Sequence, residues 1–64
     1  MKCILDLESA INLRIEVEEH NYDKVKLSLK DDLREYKILL NPKDADDLSE
    51  MLKQVSMQVK SYKL

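Results

Sequence analysis

The chain has 64 residues, 44% apolar and 38% charged, with a formal net charge of −2, one cysteine, one histidine, one proline and no glycine. This length holds one domain at most, residues 1–64, and the mixture is that of a globular chain rather than a disordered one. The lack of glycine excludes glycine-rich phosphate loops and dinucleotide fingerprints, and one cysteine excludes an intrachain disulfide.

One cysteine and one histidine cannot close a four-ligand zinc site of those two residue types. The charge is neither that of a polybasic nucleic-acid binder nor that of an acidic nucleic-acid mimic. A domain of this size buries only about 60% of the surface its unfolded chain exposes, so its core is thin. Small domains compensate with disulfides, metals or partner chains, and self-association is the device left here. Residues 1–7 are too soon interrupted by charge for a signal peptide. No apolar run approaches the roughly 20 residues of a membrane span. A cytoplasmic protein with a reduced thiol is expected.

The first run alternates. Cys3, Leu5 and Leu7 share one side and Lys2, Asp6 and Glu8 the other. That predicts an edge strand over residues 2–7, before a turn at Ser9 and Ala10. The second strand, residues 12–18, sets Leu13, Ile15 and Val17 against Arg14, Glu16 and Glu18. The third, residues 24–30, sets Val25, Leu27 and Leu29 against Lys24, Lys26, Ser28 and Lys30. Asn21 and Asp23 mark the turn between them. Pairing Val17 with Val25 matches apolar with apolar and places Glu18 opposite Lys24 and Glu16 opposite Lys26. The fourth strand, residues 35–40, follows an Asp31–Asp32 turn; pairing Leu29 with Tyr36 places Lys30 opposite Glu35 and Ser28 opposite Lys37.

A helix over residues 42–62 begins with Asn41 as N-cap, Pro42 at the first position and Asp44 at the third. Ala45, Leu48, Leu52, Val55, Val59 and Tyr62 repeat at spacings of three and four, and Met51 widens the stripe. The fold class expected is α+β: an antiparallel meander of three to four strands and one long amphipathic C-terminal helix. That helix is about 30 Å long, against about 20 Å for a strand of six residues. Part of the stripe Leu48, Met51, Leu52, Val55, Val59 and Tyr62 is therefore expected to extend beyond its own sheet and serve as an interaction surface. Met57 lies roughly opposite the stripe and is expected to support a second contact face.

No cluster reads as catalytic, cofactor-binding or metal-binding. His20 sits at a hairpin tip without a partner for acid–base work. Cys3 has core parity and reads as a buried structural thiol. Asp31, Asp32, Asp44, Asp46 and Asp47 suit turn and helix-start roles, and a calcium loop needs a glycine that is absent. Arg14, Lys24, Lys26, Lys30 and Lys37 share the outward sheet face and form a candidate nucleic-acid face. The strand aromatic, Tyr36, has core parity, so that face lacks a stacking platform.

The segment Ile38-Leu39-Leu40-Asn41-Pro42-Lys43-Asp44, entering an amphipathic helix after four strands, resembles the strand-to-helix junction of the positive-cofactor-four family of single-stranded-DNA-binding coactivators. The resemblance covers about the last third of the chain. It implies a dimer supported by the helix and a sheet face that holds a nucleic-acid strand. The chain differs from that family in its acidic balance, its lack of glycine and its lack of exposed strand aromatics. The leading expectation is a small non-enzymatic protein-interaction domain, homodimeric, acting as a regulator, adaptor or inhibitor of another protein, with no cofactor. Such short glycine-free chains are compatible with viral or mobile-element accessory proteins. Single-stranded nucleic-acid binding through the lysine face is the alternative.

Overall fold

A computed structural model describes residues 1–10 and 12–62. Four antiparallel strands, β1 (Lys2–Asp6), β2 (Arg14–His20), β3 (Lys24–Lys30) and β4 (Glu35–Leu40), form one sheet in the order β1-β2-β3-β4. A single helix, α1 (Pro42–Ser61), follows. This is the expected four-strand meander with a C-terminal helix.

The turns are built without glycine. Asn21 and Tyr22 both adopt left-handed backbone conformations, at φ 51° and 66°, and close the β2–β3 hairpin in three residues. Asn12 does the same, at φ 65°, in the β1–β2 connection. There the Leu7 N–H donates to the Leu13 carbonyl, and β2 begins only at Arg14. In the β3–β4 turn the Asp31 carboxylate accepts from the backbone N–H groups of Leu33 and Arg34, at 2.8 and 2.6 Å. Its oxygen is thus committed to the turn, in the way aspartate side chains commonly stabilise one.

The β3–β4 register is the expected one: Leu29 opposes Tyr36, Lys30 opposes Glu35 and Ser28 opposes Lys37. The β2–β3 register differs by two residues. Val17 opposes Leu27 rather than Val25, Ile15 opposes Leu29, Glu18 opposes Lys26 and Glu16 opposes Ser28. The tight turn at Asn21–Tyr22–Asp23 lets two more pairs form, His20 with Lys24 and Glu19 with Val25. A slip of two leaves every side chain on its own face, so alternation alone does not discriminate between the two registers.

The helix starts as expected. Asn41 Oδ1 accepts from the Asp44 N–H at 2.8 Å, with Pro42 and Asp44 in the first turn. Lys60 lies in the last turn, where a cation suits the dipole, and Tyr62 is the C-cap rather than a helical residue. The helix approaches the sheet chiefly at β3 and β4.

Candidate functional site

Cross-strand pairing sorts the sheet into two faces. Two complete apolar rows cross all four strands, Cys3–Val17–Leu27–Ile38 and Leu5–Ile15–Leu29–Tyr36, with Val25 and Leu40 beside them. The other face carries Lys2, Glu18, Lys26 and Leu39 in one row, Ile4, Glu16, Ser28 and Lys37 in the next, and Asp6, Arg14, Lys30 and Glu35 in a third.

Burial runs opposite to polarity. Among the described residues no apolar side chain is buried, while Glu16 and Ser28, in the middle of the charged face, are 6% and 3% exposed. Glu16 lies beneath two lysines: its Oε1 stands 3.0 Å from both Lys2 Nζ and Lys30 Nζ. These ammonium groups, Lys2 foremost, hold the Glu16 carboxyl below the ordinary glutamate range. Around this centre, Lys26 pairs with Glu18 at 2.8 Å and Arg14 with Asp6 at 2.7 Å. Glu35 lies 3.5 Å from Lys37 and 3.7 Å from Lys30.

The apolar face is open. Cys3, Leu5, Tyr36 and Ile38 are exposed, and Ile15, Val17, Val25 and Leu27 are only half-buried. Cys3 is therefore not the buried thiol its parity suggests: it faces the apolar side and is exposed among the described residues. Tyr36 likewise has the expected parity and is nonetheless exposed. A groove of about 360 Å³ runs between this face and the helix, lined by Leu5, Ile15, Val17, Leu29, Leu48 and Leu52 among others.

The helix stripe is exposed as well. Leu48, Met51, Leu52, Val55, Val59 and Tyr62 all stand open to solvent, as does Met57 on the opposite side. Ala45 alone in the helix is half-buried. The structure thus places the stripe beside an equally open sheet face, and the two apolar surfaces adjoin across the groove. Sequence reasoning placed Leu5, Ile15 and Val17 on the inward side of their strands and gave Tyr36 core parity, and did not count them as site residues. The signal that marks them is a proportion: one helix to cover four strands.

On the charged face Arg14, Lys26, Lys30 and Lys37 are all in ion pairs with carboxylates, and Lys24 lies opposite His20 at the hairpin end rather than opposite Glu18. It carries no tyrosine. His20 closes β2, its ring nitrogen Nε2 3.3 Å from the Asn21 side-chain nitrogen. Among the described residues no group of three or more His, Cys, Asp or Glu side chains is placed to hold a metal ion. No described helix is long and apolar enough to cross a membrane. No family model, curated protein or solved structure matches the chain.

Proposed function

We propose that this chain is a non-enzymatic protein-interaction domain that works as a homodimer and regulates, bridges or inhibits another protein in the cytoplasm. One observation carries the reading: the apolar sheet rows and the helix stripe are both open in the single chain, while the best-covered residues are polar. The accessible surface is 5810 Å². A folded monomer of 7.6 kDa ordinarily exposes about 4,300 Å². The excess of roughly 1,500 Å² per chain amounts to about 3,000 Å² for a pair, within the range of obligate homodimers. The radius of gyration, 13.7 Å, also exceeds the roughly 11 Å of a compact chain this long.

Once the apolar surfaces are covered, the charged face and the fully exposed Tyr22 at the hairpin tip remain for a second protein. Tyrosine is a common anchor in such contacts. Sedimentation equilibrium at micromolar concentration tests the self-association: a dimer is expected, and a clean monomer overturns it. Nucleic-acid binding by the lysine face has weaker support, because carboxylates already partner most of its cations and no tyrosine is there to stack on bases. It predicts a fluorescent oligonucleotide bound at low salt and released steeply as salt rises.

A further inference from the structure

A helix with its side chains is about 10–12 Å across, and strands lie about 4.8 Å apart, so one helix covers about two strands. This sheet has four strands, and α1 approaches it chiefly at β3 and β4. The apolar face is short of a cover by one helix width.

The helix has a matching surplus. The groove is lined from the helix side by Ala45, Leu48, Ser49 and Leu52, all in its first three turns. Val55, Val59 and Tyr62 carry the same stripe onward and are exposed. The molecule is 43 Å long, against about 24 Å for its longest strands. Among the described residues, each chain therefore lacks one apolar helix over its sheet and holds half a helix whose apolar stripe is uncovered.

Resting on the self-association proposed above, we propose that two copies clasp each other reciprocally about a two-fold axis. The second half of each α1 together with its C-cap, from Val55 to Tyr62, lies in the partner's groove, on Leu5, Ile15 and Val17 and beside Cys3. A two-fold arrangement makes the exchange mutual, so one contact fills both deficits. The occupant is a second copy because the missing cover and the free stripe agree in width and chemistry, and the roughly 1,500 Å² of excess surface per chain is what such a clasp removes.

Two measurements on the full chain decide it. Leu5 and Ile4 are neighbours on β1, 57% and 54% exposed, but face opposite sides of the sheet. Under the clasp, Leu5→Ala raises the dimer dissociation constant about a hundredfold, since each dimer loses the side chain twice, and Ile4→Ala leaves it unchanged. In the second measurement, Val55→Cys or Val59→Cys is paired with the natural Cys3 under mild oxidation. At least one pair is expected to give a covalent dimer on a non-reducing gel, lost when Cys3→Ser is added. A dimer that is insensitive to Leu5→Ala and still cross-links without Cys3 means helix pairs with helix; that overturns the clasp and leaves self-association standing. A disulfide within one chain, or no link at either position, also overturns the clasp. A monomer throughout overturns both.

Discussion

Lys30 Nζ on β3 stands 3.0 Å from Glu16 Oε1 on β2, a diagonal contact made possible because Glu16 lies directly opposite the small Ser28. Lys2 reaches the same oxygen from β1, so one carboxylate links three strands. A nearly covered carboxylate between two ammonium groups favours its charged form. Its folded pKa is lowered, by Lys2 first and Lys30 next, and Lys30 is raised in turn by Glu16. The stability this contributes is present above the unfolded glutamate pKa and is lost as pH falls through the folded one. Asp6, lowered by Arg14, and Glu18, lowered by Lys26, act in the same direction. Denaturation midpoints are therefore expected to fall between neutral pH and about pH 3, and to fall less in Glu16→Gln. A carbon-detected titration that places Glu16 at or above the ordinary glutamate value contradicts this.

The hairpin tip holds a bulky residue where glycine is normally favoured. Tyr22 sits at φ 66° with its side chain fully exposed, so no packing within the chain offsets the left-handed backbone. For a non-glycine residue that conformation costs about 1–2 kcal/mol. Part of the gain from glycine is returned through the more flexible unfolded state. Tyr22→Gly is expected to stabilise the fold by about 0.5–1 kcal/mol in urea denaturation. An unchanged or lower midpoint means Tyr22 makes contacts that the isolated chain does not contain.

Asn41 closes the start of α1 by accepting the Asp44 N–H at 2.8 Å. Asn41→Ala removes that acceptor and is expected to cost about 1 kcal/mol. Asn41→Ser and Asn41→Asp retain an acceptor and should recover most of it, read from helical circular dichroism during urea melts.

Much of the fold was legible because two signals are local. Alternation assigned the faces of all four strands, and the Asn-Pro-Lys-Asp segment fixed the helix start to the residue. The β2–β3 register was less legible. A period of two is blind to a slip of two, and the deciding fact was that Asn21 and Tyr22 both take positive φ, which composition offers for asparagine but not for tyrosine. The site was half legible. The exposed stripe follows from helix length against strand length, whereas the open sheet face looked like core because its parity was right. Parity gives the direction of Cys3, Leu5 and Tyr36; whether anything lies above them depends on how many helices the chain has to spend on four strands.

Val55 separates folding from association. It is exposed in the single chain, in the part of the stripe beyond the groove lining. A carboxylate placed there is solvated in the monomer and costs little, but it is forced against apolar side chains in the dimer, where an unpaired charge is expensive. Val55→Asp is thus expected to keep its circular dichroism spectrum while its dimer dissociation constant rises about a hundredfold or more. Met57, on the opposite side of the helix and equally exposed, provides the control. Met57→Asp is expected to leave the dimer intact in sedimentation equilibrium. Equal effects from the two substitutions would place the whole circumference of the helix in contact with something other than this sheet.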